Sequence, residues 1–302
     1  MSNVTLDVAA VVVTYNSEDH ILALLESIEA AMGELTYSVV VVDNGSSDAT
    51  LEIVESRSDC VVVRSNNVGY AAGVNRAVRA SPAARSILIL NPDATLDAGS
   101  VTVMLSVLDR SEIGIVAPRT READGSLSPT LRRGPAMGRV GGLSFTGRPM
   151  FAERIEDPAE YLTEHEVDWA VGAILLVDRE CYDLLGGLDE SYFLYSEETD
   201  FCLRAKDAGW VTMYTPRAGA MHIGGGSGES AATRMMQQIN RVRLYRRRSV
   251  AALGSMNFVA TVLLETARAI AGHENSWPTV RALLRPSARP SALKASGTLL
   301  PR

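Results

Sequence analysis

Acidic side chains stand at three places in this 302-residue chain where a carboxylate could do chemistry. Asp43 follows four valines and opens the turn Asp43-Asn44-Gly45-Ser46-Ser47-Asp48. A carboxylate there either satisfies the backbone of its own turn or accepts a hydrogen bond from a base or ribose. Asp93 follows the apolar run Ile87–Leu90, and Pro92 fixes the backbone directly before it. It can cap a loop, or it can share a divalent ion with phosphate groups, since Mg2+ commonly takes one or two carboxylates plus substrate oxygens. The densest group lies within Leu188–Leu203, where Asp189, Glu190, Glu197, Glu198 and Asp200 flank Tyr192, Phe193 and Tyr195. Acids at a helix start are stabilised by its dipole, and one held ionised near neutral pH is also suited to act as a general base. His222, beside a glycine run, is either structural or a metal ligand. Asn67, Gly69, Gly73 and Asn75 have a similar duality: the glycines permit tight packing or let backbone approach a nucleotide.

These groups need strands and helices to carry them. Val8 to Thr14 is a β-branched run of the kind buried on both faces of a mostly parallel sheet. Ile21, Leu24, Leu25, Ile28 and Met32 then repeat at helical spacing, with Ser17 expected as N-cap. The alternation continues with strands over 39–42, 61–64, 87–90 and 114–117, and with intervening helices ending near Ser56, covering 70–80, and burying Val101, Met104, Leu105 and Leu108. Repeated units of this kind predict an α/β fold, a Rossmann-like, mostly parallel sheet flanked by helices, with ligands beyond the carboxyl ends of its strands.

Residues 118–167 are rich in Gly, Pro, Arg and Glu and read as a functional insertion that shapes an acceptor pocket. Pattern returns with a strand over Trp169–Val177, a helix over Arg179–Leu185, a loop to Ser196, a helix near Glu198–Ala208 and a strand over Val211–Tyr214, just before His222. The expected organisation is a domain over 1–229, divided into a nucleotide-binding half (1–117) and an acceptor and catalytic half (118–229). A basic helical extension (230–285) follows, then a Ser/Pro/Ala-rich disordered tail (286–302).

Composition excludes several classes. With 46% apolar and 22% charged residues the chain reads as globular, and three widely spaced cysteines, Cys60, Cys181 and Cys202, exclude a disulfide scaffold and read as buried thiols in a reducing compartment. The opening residues lack the basic region and cleavage site of an export signal, so a cytoplasmic location is expected. The first strand is not followed by GxGxxG, which disfavours hydride transfer, and no P-loop occurs. The net charge of −7 hides an asymmetry: residues 230–302 hold 12 Lys/Arg against 2 Asp/Glu, which leaves 17 against 34 in the first 229. A basic tail suits an anionic membrane face or a partner subunit; nucleic acid is not expected, because no stacking-aromatic motif accompanies the arginines. The longest uncharged run, Ser249 to Leu264, is 16 residues, short of the ~20 that span a bilayer.

In order along the chain, VVVTYN, VVDNGSSD, NVGYAAGVN, LNPDA, VGAILLVDR, GGLDESYFLYSEETDFCLR and AGW resemble the inverting family 2 glycosyltransferases of GT-A fold. The resemblance covers about residues 8–250 and is nearest to bacterial rhamnosyltransferases of the cell-wall linker and O-antigen type. It implies that Thr14, Tyr15 and Asn16 line a nucleotide pocket and that Asp43 accepts from a pyrimidine N–H. Asn67, Gly69 and Asn75 would lie along the nucleoside and sugar-phosphate. Asp93 would be the metal-binding Asp that ends a DxD signature whose first Asp is here Asn91. His222 would join the metal or the diphosphate. Glu197 and Glu198 fall on the family's Glu-Asp pair, which makes Glu198 the base, with Asp200 or Asp189 as fallback.

The chemistry so implied is transfer of a sugar, L-rhamnose from dTDP-L-rhamnose, to a glycan or polyprenyl-diphosphate-linked saccharide in cell-wall or polysaccharide synthesis. Mg2+ or Mn2+ would stabilise the leaving diphosphate. The alternatives are hexose transfer from a UDP-sugar and a non-catalytic sugar-nucleotide or glycan-binding module. The basic helix at 230–248, with Met235, Ile239, Val242 and Tyr245 on one face, is expected to lie on a membrane or to form a homodimer contact.

Overall fold

Alternate residues of β1 (Leu6–Thr14) enter different cores: Val8, Ala10 and Val12 face one, Val11 and Val13 the other. An unbroken valine run forms the strand because both faces of the sheet are covered. The protein is described by a computed structural model, which covers residues 5–140, 147–224 and 230–293. After β1 come α1 (Ile21–Met32), β2 (Tyr37–Asp43), α2 (Thr50–Glu55), β3 (Val61–Arg64), α3 (Tyr70–Ala80) and β4 (Ala84–Leu90). β5 (Ala94–Leu96), α4 (Ser100–Leu108), β6 (Ile113–Arg121), β7 (Leu131–Arg132), α5 (Met137–Val140), β8 (His165–Val167) and β9 (Trp169–Ala170) follow. β10 (Ile174–Asp178), α6 (Arg179–Leu184), α7 (Glu197–Asp207) and β11 (Val211–His222) complete the α/β part.

The sheet runs β3-β2-β1-β4-β10-β6-β11-β5, with β8 on β11. The β3-β2-β1-β4 block and the β6–β11 pair are parallel, while β10 is antiparallel to both neighbours and β5 to β11. Three expectations change. The strand expected over Trp169–Val177 is two: β9 pairs with β7 in a separate ribbon, and the chain turns at 171–173 before β10 enters the sheet. Ser17 does not cap α1, which begins four residues later; its backbone N–H is held by Thr50 Oγ1 at 2.7 Å and its carbonyl accepts from His20 and Ile21. The last strand runs on from Tyr214 to His222, because its final residues pair with β5. Cys181 and Cys202 are buried as expected, but Cys60 is only half-buried.

Three helices close the described chain: α8 (Ala231–Arg247), α9 (Ala251–Ile270) and α10 (Ser276–Leu284). They pack on one another around Met236, Ile239, Val242, Phe258 and Leu283, and Phe193, Leu194 and Tyr195 join this small core from the loop before α7. The sequence places a membrane or dimer face on α8; the structure turns that face inward, burying Ile239, Val242 and Tyr245. Four of its arginines are also engaged: Arg234 pairs with Glu265, Arg241 with Glu153, Arg247 with Asp189 and Arg248 with Asp207. Residues 286–293 are ordered, contrary to the expected tail, with Arg289 and Leu293 buried. Arg289 donates to the carbonyl of Ala282. The rest of that expected tail, 294–302, lies outside the described residues.

Candidate active site

β4 ends at Leu90, and the turn Asn91-Pro92-Asp93 carries the chain into β5. β5 pairs with β11 so that Ala94 faces His222, and the Ile223 N–H binds the carbonyl of Asp93 at 3.1 Å. This register joins residues 129 positions apart: His222 Nε2 lies 3.1 Å from Asp93 Oδ1, both side chains largely buried. Burial pushes the Asp93 carboxyl up, but the hydrogen bond and charge of His222, its own backbone N–H and the charge of His20 outweigh it and hold it below the usual value. The sequence reading brings Asp93 and His222 together; it does not see His20.

The acidic helix start approaches from the other side. Glu197 and Glu198 open α7, preceded by Tyr195 and Ser196 at φ of 70° and 77°, a left-handed pair that costs about 1–2 kcal/mol per non-glycine residue. The Glu198 side chain lies against Gly172, where a Cβ would meet it at 2.9 Å. The next residue, Ala173, accepts from the Asn91 N–H at 2.8 Å, so the backbone beside Glu198 also supports the Asp93 turn. Tyr70 stands among them, its hydroxyl 3.5 Å from the Gly172 carbonyl. Burial first, and then the charges of Glu197, Glu198 and Asp93, raise its phenol well above the ordinary value. All three carboxylates therefore act on one side chain.

Glu197 and Glu198 are both raised by burial. Glu197 is pushed well up by burial and by the charge of Glu198, and one carboxylate oxygen of each is buried without a hydrogen-bond partner among the described residues. Glu198 has compensation: its own and the Thr199 backbone N–H groups and the Arg132 charge draw it back down, against burial and Glu153. Both carboxyls are therefore held above the ordinary glutamate range, and the two titrate as a pair. Arg132 is itself fixed, donating to the carbonyls of Pro129 and Leu131 at 2.6 and 3.0 Å with its guanidinium over Trp169.

Several expected site residues make bonds within the protein. Asn75 uses its whole amide inside the protein, accepting from Tyr182 Oη (2.6 Å) and Leu188 N (3.0 Å) and donating to Leu188 O (2.8 Å) and Glu190 (3.0 Å). Nothing is left for a nucleotide. Gly69, at φ 91°, is required by protein packing, since a Cβ would stand 2.5 Å from the Phe193 carbonyl, which also accepts from Tyr70 N at 2.7 Å. Asn67 binds the Gly69 N–H at 3.2 Å. The NVGYAAGVN segment thus clamps the loop that leads to the acids.

Both fallback bases are engaged: Asp200 is buried and bound by Arg204 at 2.7 Å, and Asp189 accepts from Arg247 and from Ser191 N. Asp43 is 2% exposed and spends its carboxylate on Thr14 Oγ1, Gly45 N, Ser46 N and Ser46 Oγ, the turn role; Thr14 is buried with it. Asn16 accepts from Ser47 N at 2.8 Å, while Tyr15 leaves its ring 54% exposed at the carboxyl end of β1. Asn91 contributes through its backbone, which binds Ala173 and caps the turn to Ala94.

Asp93 and His222 offer one carboxylate and one imidazole, and no cluster of three or more metal-ligating side chains occurs among the described residues. This set fits a hard divalent cation that draws its other ligands from a diphosphate and water, the usual Mg2+ arrangement.

Residues 9–174 match the profile of Glycosyl transferase family 2. The chain belongs to that family. As a family 2 glycosyltransferase it is 32% identical over 235 residues to the N-acetylglucosaminyl-diphospho-decaprenol L-rhamnosyltransferase of Mycobacterium tuberculosis, covering 70% of this chain and 74% of the relative. It is 25% identical over 221 residues to the rhamnosyltransferase WbbL of Escherichia coli, covering 70% and 81%. A solved mannosyltransferase of Pyrobaculum calidifontis in complex with GDP-Man and Mn2+ superposes with a TM-score of 0.55 at 17% identity, over 93% of this chain and 85% of that one. The fold of this glycosyltransferase is therefore GT-A, as its motifs imply.

Proposed function

We propose that this glycosyltransferase moves L-rhamnose from dTDP-L-rhamnose to a polyprenyl-diphosphate-linked N-acetylglucosamine, with inversion at the anomeric carbon, in cell-wall or polysaccharide synthesis at the cytoplasmic membrane face. The observation that carries the reading is the link between the two acidic groups: Glu198 lies against Gly172, and the next residue, Ala173, binds the Asn91 N–H of the turn that sets Asp93 beside His222. Similarity to an enzyme named for the decaprenyl-linked acceptor and to WbbL supports the choice of sugar and acceptor.

In this reading the nucleotide lies over the carboxyl ends of β1 and β2, with Tyr15 offering an exposed ring to the base. Asp93 and His222 would hold Mg2+ or Mn2+, which when bound would neutralise charge on the departing diphosphate. Glu198 takes the proton of the acceptor hydroxyl as that oxygen attacks from the face opposite the leaving group. The presence of Asp93 and of two acids at the start of α7 weighs against a non-catalytic binding module.

The test is a transfer assay with the purified chain, a GlcNAc-diphosphate-lipid acceptor, Mg2+ or Mn2+, and dTDP-L-rhamnose or UDP-hexoses in parallel. Rhamnosylated product from the dTDP donor is expected. Product only from a UDP-hexose would replace the donor assignment, and binding of donors without any product would reject the transferase reading in favour of a binding module.

A further inference from the structure

α9 is built inside out. The residues it turns toward the protein include Asn257, Thr261 and Glu265, all buried, and Glu265 reaches Arg234 of α8. The residues it turns to solvent are Ala251, Ala252, Leu253, Met256, Val259, Leu263, Leu264 and Ala267, three turns and more without one exposed charge; Leu263 is 64% exposed and Ile270, beyond Arg268, 75%. A helix on the surface of a water-soluble domain shows the reverse pattern. Exposed apolar rows of this extent mark surfaces that are covered in use.

Charge decides what covers it. Between residues 230 and 293 the only carboxylates are Glu265, which is buried, and Glu274. Arg268 lies on α9 beside Leu264, and Arg281 on α10 and Arg285 just after it are exposed; none has an ion pair among the described residues. A two-fold contact between copies would set this patch against itself, with arginines and almost no acid to meet them. An anionic lipid surface complements both features, apolar residues entering the acyl boundary and arginines meeting headgroups. No helix among the described residues is long and apolar enough to cross a membrane, so the contact is in the plane of the interface.

We propose that the outward face of α9, Leu253, Met256, Val259, Leu263 and Ile270 with Arg268, is a docking surface for an anionic lipid bilayer. It replaces α8, whose apolar face is buried, as the membrane contact. The surface stands without the donor assignment, but rests on the acceptor reading for its purpose, since α8 of the same helical unit holds the loop before Glu197 and docking brings that loop to lipid-linked sugar.

The full chain is sedimented with phosphatidylcholine vesicles with and without phosphatidylglycerol. Wild type partitions onto the phosphatidylglycerol vesicles; Met256→Glu/Val259→Glu/Leu263→Glu, all at exposed sites, weakens partition by about tenfold or more, and Arg268→Gln by about fivefold. A nitrobenzoxadiazole label on Val259→Cys in a Cys60→Ser background brightens and shifts to the blue on adding the same vesicles, a readout that does not depend on the triple variant folding. Wild type that stays in the supernatant, a triple variant that binds as well as wild type, or a label that does not respond overturns the proposal, as does a dimer in sedimentation velocity that the triple variant dissociates while vesicles bind neither protein. Transfer to a short water-soluble acceptor is measured in parallel: its loss in wild type counts against the proposed function and leaves the vesicle result intact.

Discussion

Asn240, buried in the middle of α8, donates its side-chain amide to the carbonyl of Tyr195 at 3.1 Å and, with the same nitrogen, to that of Leu194 at 2.9 Å. Tyr195 is the first of the two left-handed residues that turn the chain into the acidic helix, so the C-terminal helices hold the proposed base in place. Arg243 adds a bond to the Ser191 carbonyl at 3.1 Å and orients Asn240 through its Oδ1 at 2.9 Å.

Asn240→Leu takes the amide from the two carbonyls and removes one of Arg243's acceptors, leaving those on Ser191. Stability falls by about 1–3 kcal/mol, read from urea unfolding. Turnover falls by roughly tenfold or more as the base drifts, while donor KM stays near wild type because the nucleotide side does not depend on this contact. A donor KM that rises as much as turnover falls would remove the positioning role.

Glu198→Gln lowers turnover by about 10²–10⁴-fold, with nucleotide binding by calorimetry largely kept. Asp200→Asn separates the base from its neighbour: it loosens the Arg204 pair and lowers the thermal midpoint, but keeps most of the turnover per folded molecule. Equal turnover losses in the two variants would undo the assignment.

The base must be ionised to act, so activity rises with pH across the titration of the Glu197–Glu198 pair. Arg132 favours the charged form of Glu198. In Arg132→Gln the acid limb of the kcat profile moves to higher pH, with recovery toward wild-type turnover at alkaline pH. An unmoved limb separates Arg132 from the base.

Glu197 carries a folded-state pKa raised above its unfolded value by burial and by Glu198. The native state then binds more protons than the unfolded chain, so this group's contribution to stability falls as pH rises from the ordinary glutamate range toward the raised value. Glu197→Gln abolishes that loss. Its thermal midpoint gains on wild type as pH rises above the ordinary glutamate range; parallel curves would place Glu197 in water.

Asp93→Asn removes the charge of the Asp93–His222 pair. Chelation of divalent ions abolishes transfer by wild type, and added Mn2+ or Mg2+ restores it. The variant needs a metal concentration higher by about tenfold or more, read from activity against metal. Full activity in chelator would strike out the metal.

The first half of the fold is legible because each element obeys a single rule: alternate valines of β1 feed two cores, and α3 shows its buried residues at helical spacing. β10 is not, since an apolar run carries no sign of its direction, and antiparallel pairing to β4 and β6 is set by the tertiary path. At the site, Asp93, His222 and Glu198 are legible as acids and a histidine at element ends. Asn75 misleads because a polar residue in a motif looks the same whether it binds a ligand or its own protein. Tyr70, Gly172 and Arg132 are missed: their roles depend on contacts across about a hundred residues in Tyr70 and Gly172, and on a buried arginine in an insertion without periodicity. Asn240 leaves a faint signal, a lone amide within the apolar stripe of Met236, Ile239 and Val242. α9 is invisible for the opposite reason, because its hydrophobic period is genuine and only the structure shows that it points outward.

β6 and β10 are neighbours in the sheet and run antiparallel, with Val116 opposite Leu176 and Ile115 opposite Val177. The chain between them therefore departs and returns through adjacent posts, like a graft on fixed stock, tied back to the sheet by β8 on β11. Arg132 travels with that graft. On the proposed function, exchanging this segment for a new acceptor would also change the charge that favours ionised Glu198, so acceptor choice and working pH would be inherited together.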